Sequence, residues 1–309
     1  MIDVKTELPD ADGGWGFQEG DEIVPGRVAI HLLGSSRSHD VYAAWDETIL
    51  GVVALKLPRP GKLGDHAILR ALAAEAAALQ ELSHPSFPRC FDVRIDDDPP
   101  HLVLELVEGP RLSTMIRRQR LLGVEQVIPL ALQICSAIHY LASRDLLHLD
   151  VKPKNVIMAP PPRVIDLSIA RSIDAAQATA GPLGTDRYMA PEQCGTGDAH
   201  RIGHATDVWG LGATIYEALT GRPPFPQGDP DDVGPARFPQ LILDPEPLPR
   251  HVPDLLASIV SAALERRPED RPSAAQIVRD LDPLAEITPA RPLLGRVRVR
   301  AWRQGNRRR

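Results

Sequence analysis

A two-lobed α+β fold, with a small strand-rich first lobe and a larger helical second lobe, is what the order of patterns along this chain predicts. Three observations carry it. The stretches VAIHLLG (28–34), DVYAAWD (40–46) and GVVALKL (51–57) are β-rich, and a second strand pair follows at 90–96 and 101–107. Helical periodicities dominate after residue 110, and the character changes once, at Glu108-Gly109-Pro110. Strands first and helices second, joined at one hinge, is the pattern of segregated α+β layers.

Each element follows from local sequence. Residues 1–21 are rich in Asp, Glu and Gly without periodicity and are expected to form a flexible arm. The third strand is closed by Pro58 and Pro60. Residues 66–82 are Ala- and Leu-rich, with Ile68, Leu72, Ala76 and Leu79 on one helical face. HPSFPRC then reads as a turn. In the second lobe, Val127, Leu130, Ile134, Ile138 and Leu141 form one stripe of a helix over 124–142. A helix over 205–220 ends at Gly221, a third covers 254–264, and Ser273 to Gln276 forms a capping box opening a last helix to about residue 281. The Pro-rich stretches 222–253 and 282–292 read as loops, and no internal repeat is visible.

Composition narrows the class. The 309 residues are 43% hydrophobic but only 4% aromatic, a globular profile with ample chain for a core. No uninterrupted apolar run approaches the ~20 residues of a membrane span, and the acidic start MIDVKTELPD lacks a signal peptide's basic and apolar regions. A cytoplasmic location is expected. Cys90, Cys135 and Cys194 are too few and too scattered for a disulfide framework or metal site. Residues 290–309 hold eight arginines and no acid. Setting those aside leaves 27 of the 35 Lys and Arg against 41 Asp and Glu, about −14 on the remainder.

The run HLDVKPKN at 148–155, with Asp166 eleven residues on, places one carboxylate, one ammonium, one amide and a second carboxylate around a short polar loop. Phosphoryl transfer needs that set: a group to orient the attacking hydroxyl, a cation for the moving phosphoryl, and oxygen ligands for a metal bridging nucleotide phosphates. On these residues the chain resembles the eukaryotic-type (Hanks-type) bacterial serine/threonine protein kinases. The resemblance implies the two-lobed protein-kinase fold over residues 22–283: first lobe 22–104, hinge 105–109, second lobe 110–283. The acidic arm 1–21 precedes it and a basic tail, 284–309, follows.

The resemblance also implies roles. In the Val-Ala-Leu-Lys strand, Ala54 would lie under the adenine and Lys56 would reach the α- and β-phosphates, held by Glu75 nineteen residues on, which matches the family pattern better than Glu81 does. Leu104 would back the adenine pocket, and the backbone of Glu105 and Val107 would read the base. Asp150 would orient the substrate hydroxyl, Lys152 stabilise the transferring group, and Asn155 and Asp166 hold Mg²⁺, with Mn²⁺ an alternative. Thr185, in Gly-Thr-x-x-Tyr-Met-Ala-Pro-Glu (184–192), would support Asp150. Glu192 would pair with Arg271, and Asp207 would hold the catalytic-loop backbone. The Ala-Pro-Glu element argues against a small-molecule kinase.

Three departures stand out. The glycine-rich loop survives as Gly34-Ser-Ser-Arg-Ser-His-Asp-Val41, with Ser36 and His39 at the second and third glycine positions; Ser36 is expected to offer its N–H and hydroxyl to phosphate. Asp166-Leu-Ser stands for Asp-Phe-Gly. Leu149 replaces the arginine that collects an activation-loop phosphate, so activity is expected to depend little on phosphates at Ser172 or Thr179 unless Arg171 or Arg187 substitutes. The leading expectation is an ATP- and Mg²⁺-dependent protein serine/threonine kinase that also phosphorylates itself. The rival is a pseudokinase acting as a nucleotide-binding scaffold. Expected partners are a protein substrate and a second copy of the chain, with no membrane span; nucleic acid is not expected, the basic tail being the one feature that leaves room for it.

In the tail, Val297, Val299 and Ala301 alternate with Arg296, Arg298 and Arg300, which would let it add as an edge strand with its arginines on one face; the rival reading is an inert, unstructured end. Exposed ion pairs give only ~0–1 kcal/mol each, so docking must be collective and salt-sensitive. Deleting residues 291–309 should change activity, oligomeric state or partner capture at low salt and not at high salt. An unchanged protein in all three assays marks the tail as inert.

Overall fold

The computed structural model describes residues 13–195 and 202–287. The described residues divide into two compact units, one comprising 13–108 with Ile165–Ala170, the other Gly109–Val164 with 171–195 and 202–287. The tail beyond residue 287, where the edge strand is expected, lies outside the described residues.

The first unit is built on an antiparallel sheet of six strands: β1 (Glu22–Val24), β2 (Arg27–Ser35), β3 (His39–Asp46), β4 (Gly51–Pro58), β5 (Cys90–Arg94) and β6 (His101–Glu105), in the order β1-β2-β3-β4-β6-β5. Between β4 and β5 runs helix α1 (His66–Glu81), capped by the Asp65 carboxylate, which accepts from Ala67 N at 3.0 Å. Register decides what the sheet presents. Tyr42 pairs with Leu55 and Leu55 with Val103, and these pack with Ala44, Val53 and Leu57 into one core. The alternate positions face the other way: Val41 pairs with Lys56, Ala43 with Ala54, and Ala54 with Leu104. A one-residue slip would exchange the two sets.

Of the segment 1–21 expected as a flexible arm, residues 1–12 lie outside the described residues, and within the rest Trp15 and Phe17 pack against the first unit's core. Trp15 stacks on Phe17 with ring centroids 5.4 Å apart, and Phe17 meets Tyr42 edge-on at 5.6 Å. The Trp15 indole N–H donates to Pro58 O at 2.8 Å and its backbone N–H to Asp40 Oδ2 at 3.2 Å. The acidic composition concealed two aromatics that pack, partly buried, against the core.

The second unit opens with α2 (Leu112–Gln119) and α3 (Val124–Ala142). Four two-residue strands follow, β7 (Leu146–Leu147), β8 (Val156–Ile157), β9 (Arg163–Val164) and β10 (Arg171–Ser172), with β7 pairing β10 and β8 pairing β9. Then come α4 (Ile173–Gln177), α5 (His204–Thr220), α6 (Gly234–Arg237), α7 (Asp254–Ala263) and α8 (Ala274–Ile287). By length and composition α3 passes as a membrane span, but its stripe of Val127, Leu130, Ile134, Ile138 and Leu141 is buried, and the helix packs with α5 and α8. Helix α2 was not foreseen, although Leu112, Met115 and Ile116 have helical spacing and are buried. Ser273 and Gln276 form the expected box, Ser273 N donating to Gln276 Oε1 at 2.6 Å. Helix α8 nevertheless runs past residue 281 and through Pro283, because Leu281 and Leu284 are both buried along it.

Trp15 is half-buried, so Trp15→Ala should destabilise the protein by about 1–2 kcal/mol, less than the ~3–5 of a fully buried aromatic. Urea unfolding measures it; an unchanged midpoint would return this segment to the status of a free arm.

Candidate active site

The first unit contributes a buried cation clasped by two carboxylates. Lys56 Nζ lies 2.6 Å from Glu75 Oε2 and 3.0 Å from Asp166 Oδ1. Glu75 sits on the inward face of α1 with 2% of its side chain exposed, whereas Glu81 is the exposed last residue of that helix. Burial alone would lower the Lys56 ammonium, but Glu75 and then Asp166 outweigh it and hold it above the ordinary lysine value. Burial pushes Glu75 up while Lys56 pulls it down; with two carboxylates on one ammonium, the proton belongs to the lysine. Glu75 also accepts a backbone hydrogen bond from Leu167, the buried residue of Asp-Leu-Ser. Asp166 itself adopts a left-handed φ of 69°.

Val41, Ala54, Lys56 and Leu104 share one face of the sheet, as the register above requires, with Gly34 opposite Val41 on β2. Glu105 closes β6, its N–H donating to Arg89 O at 2.8 Å, and Val107 lies in the chain just past that strand. Ser36 is the exception. Its N–H donates to His39 O at 2.8 Å, and its hydroxyl donates to His39 O at 3.2 Å while accepting from His39 N at 3.0 Å. Both groups expected to meet phosphate are spent closing the turn, because a serine hydroxyl readily bonds its own neighbouring backbone.

The second unit centres on the Asp150 carboxylate, which collects three donors. Lys152 Nζ approaches Oδ2 at 2.7 Å, Thr185 Oγ1 donates to Oδ1 at 2.7 Å, and Asn155 Nδ2 donates to Oδ2 at 2.9 Å. Lys152 also donates to the Thr185 hydroxyl. Asn155 spends its remaining amide N–H on Asp150 O at 3.0 Å, which leaves its amide oxygen as the hard donor of that side chain.

The loop is held from beneath by α5. Asp207 is buried, and its two oxygens accept from His148 N and Leu149 N, each at 2.8 Å. Leu149 is left-handed, with φ of 64°. Gln193 Nε2 fixes the other side of the same residue, donating to Leu149 O at 2.9 Å. Gln193 was not singled out from the sequence, and nothing in one sequence marks it beyond its place after Glu192. Helix α5 comes this close because residue 210 is glycine: a Cβ there would stand 2.9 Å from Val151 Cβ.

Glu192 and Arg271 pair bidentately at 2.7 and 2.8 Å, with 1% and 0% of their side chains exposed. The guanidinium also bonds Glu265 O, Ala205 O and Arg266 O and lies over the Trp209 ring at 5.0 Å. In the intervening segment Arg171 Nη1 donates to Thr179 Oγ1 at 2.9 Å, so a cation stands beside that hydroxyl despite the leucine at 149. Of the three cysteines, Cys135 and Cys194 are buried with thiols pushed up to about 12 by burial, and Cys90 is half-buried.

Among the described residues no three His, Cys, Asp or Glu gather as a metal cluster. The amide oxygen of Asn155 in the second unit and the carboxylate of Asp166 in the first are each a hard oxygen donor of the kind divalent cations prefer.

Residues 28–281 match the family described as protein kinase domain. The chain is 32% identical over 272 residues to the serine/threonine-protein kinase PkaA of Streptomyces coelicolor, a span of 84% of this chain and 49% of that protein. It is 30% identical over 264 residues to PknB of Mycobacterium tuberculosis, covering 81% and 41%, and 29% identical over 259 residues to a probable serine/threonine-protein kinase of Clostridium perfringens, covering 82% and 37%. The chain therefore spans half or less of the length of these relatives.

Truncating Glu192 to alanine leaves a guanidinium buried without its countercharge, so Glu192→Ala should cost about 3–5 kcal/mol. Denaturant unfolding reads this out, and a cost below about 1 kcal/mol, the range of exposed pairs, would show that the pair is not doing structural duty.

Proposed function

Because the chain belongs to the protein kinase domain family, we propose that it transfers the γ-phosphoryl group of ATP to serine and threonine hydroxyls of proteins, itself included. The observation that carries this reading is the Asp150 carboxylate held by Lys152, Asn155 and Thr185 at 2.7–2.9 Å. A carboxylate fixed from three sides accepts the proton of an incoming hydroxyl without having to reorganise.

Lys152 keeps a positive charge beside the acceptor, where negative charge builds on the transferring group. Thr185, which donates to Asp150 and accepts from Lys152, fixes both relative to the peptide-binding segment that follows. Lys56 supplies the cation for the α- and β-phosphates, and Glu75 sets its position. Val41, Ala54 and Leu104 supply apolar surface for the base, which the backbone of Glu105 and Val107 would read. Asn155 and Asp166 would hold Mg²⁺, or Mn²⁺ in its place, and the metal would neutralise phosphate charge. A need for ATP, together with free cysteines, supports a cytoplasmic setting for this domain.

A scaffold role without transfer has the altered glycine loop and Asp-Leu-Ser in its favour. The transfer reading is the stronger because charged groups supply most of phosphoryl-transfer catalysis, and the full charged set is present. With γ-labelled ATP and Mg²⁺ or Mn²⁺, the protein should label itself and a general protein substrate. Asp150→Asn should reduce transfer by roughly 10²–10⁴-fold, the usual contribution of acid–base catalysis, with nucleotide binding nearly intact. Lys56→Met should lower transfer by misplacing the phosphates. Equal activity of Asp150→Asn and wild type would refute the catalytic assignment, and a wild type that labels nothing would leave the scaffold.

A further inference from the structure

The turn between β2 and β3 leaves one polar atom without a protein partner. His39 is 6% exposed. Its Nδ1 lies 2.9 Å from Ser38 Oγ, while Nε2 is buried and unbonded. A buried polar atom without a hydrogen bond is costly, and native structures keep few of them.

The register says which way the ring faces. His39 pairs with Pro58 and Val41 with Lys56, so strand alternation puts His39 on the face of Val41, Ala54 and Lys56. The charges that act on it, besides neighbouring Asp40, are Lys56 and Asp166. Burial, then Lys56, lowers the imidazole to about 4, so at neutral pH it is a dipole and not a cation. In the tautomer in which the Ser38 hydroxyl donates to Nδ1, the ring proton sits on Nε2.

The groups usually asked to meet phosphate in this loop are unavailable. Two of three glycines are gone, and Ser36 spends its N–H and hydroxyl on His39 backbone atoms. On the Lys56 face of this turn, the His39 imidazole presents a ring nitrogen that no protein group meets.

We propose that His39 is a phosphate-binding residue, its Nε2–H donating to a non-bridging phosphate oxygen of ATP in place of a glycine-loop amide. This rests on the kinase reading above. It also accounts for a bulky residue at a glycine position: here a side chain, and not the backbone, makes the contact.

The test compares wild type, His39→Gly and His39→Gln by calorimetric binding of MgATP and of adenosine, with steady-state kinetics alongside. Losing one hydrogen bond to a charged group should weaken MgATP about tenfold in His39→Gly, leave adenosine unchanged, and raise the KM for ATP more than it lowers kcat. His39→Gln, which retains an N–H donor, should recover most of the loss. Three outcomes overturn the proposal: MgATP affinity in His39→Gly at or above wild type, an equal loss for adenosine (the mark of mere packing), or no recovery by glutamine. If the binding pattern appears but no phosphate is transferred, the kinase reading falls and His39 stands. Transfer with an unaltered glycine variant gives the reverse, and a wild type that binds no MgATP defeats both.

Discussion

The geometry of the second unit depends on one buried carboxylate, that of Asp207. It accepts the N–H groups of His148 and Leu149 and so fixes a loop whose Leu149 is in left-handed backbone conformation. A non-glycine residue there costs about 1–3 kcal/mol and persists only where its surroundings over-determine it. Here they do: Asp207 grips one side of Leu149, Gln193 bonds its carbonyl, and the side chain is buried. The return is that Asp150, the next residue, is set where Lys152, Asn155 and Thr185 all reach it.

Charge is buried twice more, and the two cases differ. Glu192 and Arg271 are sealed and bidentate, with the guanidinium's other donors met by carbonyls. Such pairs add little net stability but are expensive to break, so they fix one arrangement of the chain over others. Lys56 is different because one of its two carboxylates, Asp166, remains 38% exposed. A cation held by one sealed and one accessible partner keeps its charge and can still meet an incoming anion.

The turn at residues 35–39 shows why substitution patterns alone mislead. Ser36 looks like a glycine substitute with a donor to spare, yet its hydroxyl is drawn into the turn, the usual fate of a serine next to free backbone groups. His39 looks like bulk and positive charge, yet burial makes it neutral. In both cases the local chemistry of the side chain is legible, and its partner is not.

The sequence by itself determined the segregation of strands before helices, the boundaries of α1, α3, α5 and α7 to within a residue, and the chemical types gathered in the catalytic run. Those are set by local period and by residue type: an apolar stripe at 3.6 residues fixes α3, and a carboxylate-lysine-asparagine run carries its chemistry wherever it folds. Alternation likewise determined that Ala54 and Lys56 share a face. The motif spacing already favoured Glu75 over Glu81 as the partner of Lys56, and the tertiary structure supplied the physical reason, burial of the one and exposure of the other. It also brought in Trp15 and Phe17 from an acidic segment, carried α8 through Pro283, and recruited Gln193 to the loop. The physical reason is common to all of these. Burial and long-range hydrogen bonds join residues far apart along the chain, and no local pattern in one sequence records which distant groups will lie against each other.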